Sequence, residues 1–163
     1  MALKIELANL VKMKVDAIVN AANIYLSRGG GVCGAIFEAA ASDQLSIDCK
    51  KLAPIETGQA VITKAYNLPA KYIIHTAGPV YRDGKSGEEI LLRNSYINSL
   101  ELAKKYSIKS LAFPLISSGI YGYPWKDAAK VAVASIRDFL KDNDIDVSIV
   151  VLDKNIYNYL KTL

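Results

Sequence analysis

The sequence predicts an α/β fold in which helices cover both faces of a largely parallel sheet, and three observations lead to it. Apolar runs of strand length alternate with longer helical patterns, as in proteins built from strand–helix units. Two of the later runs, residues 71–76 and 148–152, are almost continuously apolar, which is typical of strands buried on both faces. Loops rich in glycine, serine or asparagine follow several strands, and open α/β sheets bind their ligands in such loops.

The first half of the chain supplies three predicted strands and two predicted helices. Residues 3–7 alternate apolar and charged side chains, the pattern of a half-buried strand, and residues 15–19 form a short apolar run. Helices are predicted over 32–41, where small residues follow three glycines, and over 43–52. A β-rich run at 59–65 gives the third strand.

The second half supplies three further strands and two longer helices. The strands are predicted at 71–76, 110–114 and 146–152. The helix over 88–106 begins with two glutamates and ends with two lysines, which is the favourable arrangement with the helix macrodipole. The helix over 125–141 follows a proline, a residue that favours the first turn.

Composition and charge indicate one folded domain spanning residues 1–163. The chain is 52% hydrophobic and 22% charged, which is ordinary for a globular protein and excludes extensive disorder. Its length is sufficient to bury a full core within one domain. The net charge of +4 comes from scattered lysines rather than from a basic run. A surface for double-stranded nucleic acid is therefore not expected.

Targeting and metal-binding signals are not found in the sequence. The N-terminal residues lack the apolar core of a signal peptide, and no apolar run approaches the roughly 20 residues that span a bilayer. Cys33, Cys49 and the single histidine, His75, do not have the spacing of metal ligands or of a disulfide framework. We therefore expect a cytoplasmic protein with reduced thiols, no metal and no membrane partner.

The most informative segment is the loop at residues 20–31, which we call the glycine loop. It contains three consecutive glycines, Gly29–Gly31, directly before the helix predicted over 32–41. Glycines permit backbone conformations and close approaches that a Cβ would block. At a helix N-terminus they leave N–H donors exposed at the positive end of the dipole, which favours an anion. The segment therefore predicts a ligand that carries phosphate.

The spacing of the glycines excludes two common phosphate motifs. Gly29, Gly31 and Gly34 match G-x-G-x-x-G, but a Rossmann fingerprint follows its strand tightly and has an acidic residue at the end of the next strand. Here nine residues separate Val19, the predicted strand end, from Gly29, and Asp48 lies in a predicted helix. A P-loop is excluded because no Gly-Lys-Ser/Thr follows.

A second loop at residues 115–123, which we call the serine loop, also joins a strand to a helix. Alone, it has two interpretations: a plain turn whose aromatic residues pack locally, or a second set of amide donors. Beside the glycine loop we favour the second interpretation, in which the two loops bind a diphosphate from both sides. The donors would come from Ser117, Ser118, Gly119, Ile120 and Tyr121.

Two asparagines flank a pair of alanines at the start of the glycine loop. Asn20 lies at the end of a buried strand, and we predict that it satisfies backbone groups there. Asn23 lies just beyond the strand, where its amide could reach a ribose hydroxyl or a water. The small residues Ala21 and Ala22 would leave space beside a ligand.

These motifs together resemble the signature of macrodomains. The matching blocks keep the family's order and lie within residues 7–125; they are Val15-Asp-Ala-Ile-Val-Asn-Ala-Ala-Asn, Gly29-Gly-Gly-Val-Cys-Gly-Ala-Ile, Gly58-Gln-Ala-Val-Ile-Thr, Tyr72-Ile-Ile-His-Thr-Ala-Gly-Pro and Phe113-Pro-Leu-Ile-Ser-Ser-Gly-Ile-Tyr-Gly-Tyr-Pro. The resemblance implies a three-layer α/β/α sandwich with a mixed, largely parallel sheet. It also implies binding of ADP-ribose, with removal of mono-ADP-ribose from acidic side chains or deacetylation of O-acetyl-ADP-ribose.

The resemblance also implies which residues contact the ligand. Its partners would be ADP-ribose and mono-ADP-ribosylated proteins, with ADP-ribose as ligand or product rather than cofactor, and poly(A) as the remaining nucleic-acid candidate. The catalytic candidates are Asn23, which would order the reactive water, Gly30 and Cys33. The ligand-binding candidates are Asn9, Leu10, Ala21, Asn23, Arg28, Gly29, Gly30, Gly31, Val32, Cys33, Ser117, Ser118, Gly119, Ile120, Tyr121, Leu152 and Asp153.

Two departures from the family pattern bear on activity. Asn9 stands where many macrodomains carry an aspartate that accepts a hydrogen bond from the adenine amino group. Without that charge we expect adenine binding to be weaker by about 1 kcal/mol. Cys33 stands where one class of macrodomain hydrolases carries an aspartate that helps to activate water, although viral macrodomains lack it and still hydrolyse. Two functions therefore stay open: a hydrolase, and a module that binds ADP-ribose without turnover.

Three further positions have alternative interpretations. Arg28 either attracts the diphosphate or the modified partner, or is a solvated loop residue. A Cys33 nucleophile would need His75, on another strand, within hydrogen-bond reach. We favour His75 as a packed strand residue and Cys33 as a small residue that lines the pocket. Leu152, where an adenine-stacking aromatic often stands, offers only an apolar contact.

Overall fold

The computed structural model describes residues 2–163 and contains a six-stranded sheet with helices on both faces. In chain order the strands are β1 (Ala2–Leu7), β2 (Ala17–Ala22), β3 (Ala60–Lys64), β4 (Tyr72–Ala77), β5 (Ser110–Phe113) and β6 (Asp146–Val151). The α-helices are α1 (Gly31–Ala40), α2 (Asp43–Leu52), α3 (Glu88–Lys105), α4 (Trp125–Leu140) and α5 (Lys154–Thr162). A short 3-10 helix, Leu10–Lys12, follows β1.

The strand order is β1-β6-β5-β2-β4-β3. Every neighbouring pair is parallel except β3 and β4, which are antiparallel, so the sheet is mixed and largely parallel as predicted. Because β1, β2, β4, β5 and β6 run in one direction, the loops that follow them emerge at the same edge of the sheet. The glycine loop after β2 and the serine loop after β5 are therefore neighbours.

The core has one hydrophobic cluster on each face of the sheet, because successive strand side chains point to opposite faces. Val19, Ile74 and Phe113 belong to the cluster that includes residues of α3, α4 and α5. Ile18 and Ile73 belong to the cluster that includes residues of α1 and α2. The three-layer α/β/α sandwich is therefore confirmed. Within the described residues, no helix is long and apolar enough to cross a membrane.

Most boundaries differ from the sequence-based prediction by one or two residues, the end of β2 differs by three, and two elements, the 3-10 helix and α5, were not predicted. β2 extends to Ala22, beyond the predicted end at Val19, because it pairs with β4 along its whole length. Strand β5 ends at Phe113, since Pro114 has no N–H to continue the ladder. Helix α5 was not predicted, because it is short and Leu160 is its one buried residue. Its signal was Asp153, whose side chain caps the first turn.

Candidate functional site

A cavity of about 680 Å³ opens at the edge of the sheet where the parallel strands end. It lies between the glycine loop and the serine loop, and segments after β1 and β6 close its far end. The sequence-predicted residues that line it are Asn9, Leu10, Ala21, Asn23, Gly29, Gly30, Gly31, Val32, Cys33, Ser117, Ser118, Gly119, Ile120, Tyr121, Leu152 and Asp153. The structure thus brings together every predicted ligand residue but one.

The exception is Arg28, which is exposed and does not line the cavity. The preceding residue, Ser27, is exposed as well, although its backbone is bonded by the side chains of Asn23 and Cys33. The cavity geometry therefore favours a solvated loop residue for Arg28. Sequence reasoning also missed several lining residues, of which Gly78 is the most informative.

The glycine loop leads directly into α1. Gly30 is the N-cap of this helix and supplies no side-chain hydrogen bond. The first N–H groups of a helix have no partner within it, so the first turn of α1 presents backbone donors. Gly31, with φ of +57°, adopts a conformation that favours glycine. This end of α1 is suited to an anion.

The serine loop is held in a tight conformation by its own hydrogen bonds. Ser117 has φ of +67°, and its carbonyl accepts the N–H of Tyr123 at 3.0 Å. The hydroxyl of Ser118 donates to the carbonyl of Leu115 at 2.8 Å. Within residues 2–163, the buried Ser117 hydroxyl has no hydrogen-bond partner, and Ser117 lines the cavity. The hydroxyl oxygen has almost no accessible surface and lies against Gly78, so it is packed inside the fold and is not presented to a ligand.

The two loops meet across the cavity at Ile120 and Gly30. A Cβ placed on Gly30 would lie 3.7 Å from Cδ1 of Ile120. Ile120 is nevertheless 87% exposed, so it stands at the mouth of the cavity with little to pack against. A ligand between the loops would therefore be covered by this side chain.

Gly78 determines how closely β4 approaches the serine loop. A Cβ at Gly78 would lie 2.3 Å from Oγ of Ser117 and 2.5 Å from Cγ2 of Ile116, closer than atoms can approach. Only glycine therefore allows the loop this position. The requirement comes from a contact between distant parts of the chain, so the sequence alone did not reveal it.

The loop between β4 and α3, residues 78–87, supports the serine loop from the other side. The N–H of Tyr81 donates to the carbonyl of Tyr121 at 2.8 Å. The loop itself is organised by the buried carboxylate of Glu88. That carboxylate accepts four backbone N–H groups, from Arg82, Asp83, Gly84 and Ser86. Backbone hydrogen bonds, of which the one from Arg82 has the largest effect, lower the pKa of Glu88 to about 2.

Glu88→Gln is expected to destabilise the protein at neutral pH and to flatten its acid dependence. The ionised carboxylate contributes fully above pH 4.5, the ordinary pKa of glutamate, and its contribution is lost as the pH falls toward the folded-state pKa of about 2. Thermal unfolding between pH 2 and 7 checks this prediction. The control is Glu89→Gln, which changes the neighbouring exposed carboxylate and should follow the wild type. A wild-type pH profile for Glu88→Gln would contradict it.

Asn23 uses most of its hydrogen-bonding capacity to shape the glycine loop. Its Oδ1 accepts the N–H of Tyr25 at 3.0 Å and both the N–H and the hydroxyl of Ser27. Its Nδ2 donates to the carbonyl of Ser27 at 3.1 Å. An amide NH₂ carries two donors, so one N–H is left for a ligand or a water. The oxygen of Asn23, in contrast, is committed to the loop.

Cys33 and His75 do not form the Cys–His pair that nucleophilic catalysis would need. The amide of Asn20 lies between them, with Nδ2 3.7 Å from Sγ of Cys33 and 3.0 Å from Nδ1 of His75. His75 is fully buried and also contacts Thr63, so it is a packed strand residue, as we favoured. Asn20 bonds side chains, whereas we predicted backbone partners. Cys33 is buried and lines the cavity.

The far end of the cavity is formed by Asn9, Leu152 and Asp153. The Oδ1 of Asn9 accepts the N–H of Val11 at 3.3 Å and caps the 3-10 helix. Leu152 is 78% exposed and offers an apolar surface. Oδ1 of Asp153 caps α5 and is therefore already engaged. In residues 2–163, no group of three or more His, Cys, Asp or Glu side chains is arranged to hold a metal ion.

Comparison with known proteins decides the family. A family model described as the Macro domain matches residues 19–132, more than half of the chain. The chain belongs to the macrodomain family. Of the blocks that carried the resemblance, those in the glycine loop and the serine loop supply most of the cavity lining.

Curated relatives of this macrodomain include named enzymes. A Macro domain-containing protein of Methanosarcina mazei is 52% identical over 90% of this chain and 78% of its own length. The O-acetyl-ADP-ribose deacetylase of Escherichia fergusonii is 49% identical over 81% of this chain and 76% of its own. The ADP-ribose glycohydrolase MACROD1 of Mus musculus is 46% identical over 83% of this chain, but over 42% of its own length.

Solved structures of other macrodomains share the fold closely. A mutant of the Oceanobacillus iheyensis macrodomain with ADPR has a TM-score of 0.94 and 38% identity, covering 98% of this chain and 90% of that one. The Trypanosoma brucei macrodomain in complex with ADP-ribose has a TM-score of 0.90 and 33% identity, covering 98% and 68%. Both of these related proteins carry ADP-ribose.

Proposed function

We propose that this macrodomain binds ADP-ribose and hydrolyses mono-ADP-ribose from modified acidic side chains of proteins. The observation that carries the proposal is the meeting of the glycine loop and the serine loop across one cavity. Each loop brings backbone donors to the same space, which suits the two phosphates of a diphosphate. The names and ligands of the relatives support the same ligand class.

The cavity offers a separate region to each part of ADP-ribose. The diphosphate would lie between the first turn of α1 and the serine loop, under Ile120. The adenine would lie against Asn9 and Leu152, on apolar surface at the far end. The distal ribose would then lie beside Asn23, whose remaining N–H faces it. Ile120 would exclude water from the diphosphate and strengthen each amide–phosphate contact.

The proposed reaction is attack of water on C1″ of the distal ribose. Asn23 and the amides of α1 orient the water, and the water oxygen forms a bond to C1″. The bond from C1″ to the oxygen of the protein carboxyl group breaks, and the electron pair leaves with the carboxylate. The proton of the water passes to a phosphate oxygen of the substrate, because Sγ of Cys33 is engaged with Asn20 and Ser27. The step requires no cofactor or metal.

A direct test is incubation with a glutamate-mono-ADP-ribosylated protein, with release of ADP-ribose followed over time. The control is Gly30→Glu, which places a carboxylate between the two loops and should block the ligand. Release by the wild type well above the control is expected. Release no greater than that of Gly30→Glu would contradict the proposed hydrolysis.

The second candidate is a module that binds ADP-ribose without turnover, and Cys33 favours it because a thiol replaces the family's aspartate. Calorimetric binding of ADP-ribose together with no release, and no deacetylation of O-acetyl-ADP-ribose, would support this candidate. Cys33→Asp sharpens the comparison. A large gain in turnover would mean that the natural chain is catalytically impaired.

Asn9→Asp is expected to tighten ADP-ribose binding. The change restores the charge that an adenine amino group would meet, and a hydrogen bond to a charged acceptor is stronger by about 1 kcal/mol, or roughly fivefold in Kd. The carboxylate can still cap the 3-10 helix through its second oxygen. Calorimetric titration of both proteins with ADP-ribose, and with ribose 5-phosphate as the ligand that lacks adenine, checks the prediction. An unchanged Kd for ADP-ribose would contradict an adenine contact at Asn9.

A further inference from the structure

Five residues below the cavity floor form a continuous series of hydrogen bonds, which we call the buried relay. It begins at Thr63 on β3 and passes through His75 on β4 and Asn20 on β2 to Cys33 on α1. It ends at the backbone carbonyl of Ser27 in the glycine loop. The four side chains are all buried, so solvent does not compete for their hydrogen bonds.

The direction of the relay is fixed at Thr63. This residue donates its single hydroxyl proton to the carbonyl of Lys64 at 3.1 Å, so it accepts from Nε2 of His75 at 2.9 Å. Burial lowers the pKa of His75 to about 4, so the imidazole is neutral and carries one N–H. We place that N–H on Nε2, where Oγ1 of Thr63 accepts it and Sγ of Cys49 lies 4.0 Å away, so Nδ1 is an acceptor.

The amide of Asn20 completes the middle of the relay. Its Nδ2 donates one N–H to Nδ1 of His75 and the other to Sγ of Cys33. Its Oδ1 has no partner among residues 2–163. If the Asn20 amide were reversed, the two N–H donors of Nδ2 would be unpaired instead of the single acceptor Oδ1. The reversed Oδ1 would also need a proton on Nδ1 of His75. A buried unpaired group is costly, so the orientation with Nδ2 toward His75 is favoured.

The relay ends on the atom that also holds Asn23. Sγ of Cys33 lies 3.6 Å from the carbonyl oxygen of Ser27, and its S–H donates to that oxygen. The same oxygen accepts Nδ2 of Asn23 at 3.1 Å. A shift of Cys33 therefore moves the Ser27 carbonyl, and with it the amide whose second N–H faces the cavity.

We propose that Asn20 and His75 are positioning residues, which fix the orientation of Asn23 through Cys33 and the Ser27 carbonyl. This role explains why two neighbouring strands between the apolar clusters, β2 and β4, each keep a buried polar side chain. The effect on turnover rests on the proposed function, whereas the hydrogen-bond arrangement does not.

The ligand-free wild type tests the arrangement itself. His75 is the single histidine, so the two imidazole nitrogens in a ¹⁵N NMR spectrum are assigned without ambiguity. The relay predicts a pyrrole-like Nε2, which carries the proton, and a pyridine-like Nδ1. It also predicts that one side-chain N–H of Asn23 shows the chemical shift of a hydrogen-bonded proton. A proton on Nδ1 would overturn the proposal whatever the activity.

Two substitutions of His75 separate positioning from packing. His75→Asn places an amide oxygen near the position of Nδ1 and keeps an acceptor for Asn20. His75→Gln reaches toward Thr63 and leaves Asn20 without an acceptor. In the Gln variant, the NMR signal of the Asn23 side chain should shift relative to the wild type. Its kcat should fall by about tenfold or more, whereas its Kd for ADP-ribose should change by less than about threefold. The Asn variant should stay within about threefold of the wild type in both.

Equal losses in the two folded variants would overturn the proposal, because they would show that the imidazole acts only by filling space. A folded His75→Gln with wild-type Asn23 signals would overturn it as well. If neither variant folds, the protonation of His75 in the wild type decides. If the wild type binds ADP-ribose without turnover, the proposed hydrolysis is contradicted. The NMR result then still tests the hydrogen-bond arrangement of the buried relay.

Discussion

Replacing Gly34 by alanine is expected to weaken ADP-ribose binding by about 100-fold or more, equivalent to about 3 kcal/mol. A Cβ at this position would lie 2.5 Å from the carbonyl oxygen of Gly29, which is a backbone atom that no rotamer change can move away. The glycine loop must therefore shift away from α1. Overpacking of this kind costs about 1–3 kcal/mol, more than the roughly 1 kcal/mol that alanine gains over glycine within a helix.

The measurement is calorimetric titration with ADP-ribose together with thermal unfolding of the free protein. Gly30→Ala is the steric control for stability, since its Cβ would have only an ordinary contact with Ile120. Its free energy of unfolding should remain within about 0.5 kcal/mol of the wild type. A Gly34→Ala protein with wild-type affinity would show that the position of the glycine loop does not determine binding.

Asn23→Ala is expected to lower the rate of ADP-ribose release by about 100-fold or more, the usual result of removing a donor aimed at the reacting group. The same change removes an acceptor that bonds Tyr25 and Ser27, so the free protein should also lose about 1–2 kcal/mol of stability. Single-turnover kinetics on a glutamate-mono-ADP-ribosylated protein measures the first effect, and denaturant unfolding measures the second.

Asn23→Asp distinguishes the two roles of this residue. Aspartate keeps an oxygen that can accept the N–H groups of Tyr25 and Ser27, but it has no N–H for the ligand. The Asp variant should therefore be as slow in turnover as the Ala variant, and its second oxygen would face the Ser27 carbonyl to which Nδ2 of Asn23 now donates. Turnover by Asn23→Asp close to that of the wild type would mean that Asn23 acts only on the shape of the loop.

The sequence predicts the fold class because alternation, apolar runs and loop composition are local signals. The antiparallel pairing of β3 and the position of β1 at an edge of the sheet depend on contacts between distant segments, so no local sequence pattern predicts them. The end of β2 was wrong for the same reason: its last residues pair with β4 although their sequence is typical of a loop. Helix α5 was missed even though Asp153 supplied a local capping signal.

Most of the cavity lining was predicted because the glycine loop and the serine loop are short stretches of consecutive residues, and the resemblance implied the remaining predicted residues. What the sequence did not reveal are the supports of those loops. Gly78 is needed only because Ser117 approaches it, and Glu88 matters only because a loop folds over its carboxylate. Arg28 was a ligand candidate with a solvated loop residue as its alternative, and the structure leaves it exposed and outside the cavity.

The central claim is that the glycine loop and the serine loop hold one ADP-ribose molecule between them. A titration of the ¹⁵N-labelled protein with ADP-ribose tests it most directly, because the backbone amide of each loop residue reports separately. We expect the signals of Gly30, Gly31 and Val32 to move together with those of Gly119, Ile120 and Tyr121. All should fit a single Kd. Movement of one loop alone, or none at millimolar ADP-ribose, would contradict it.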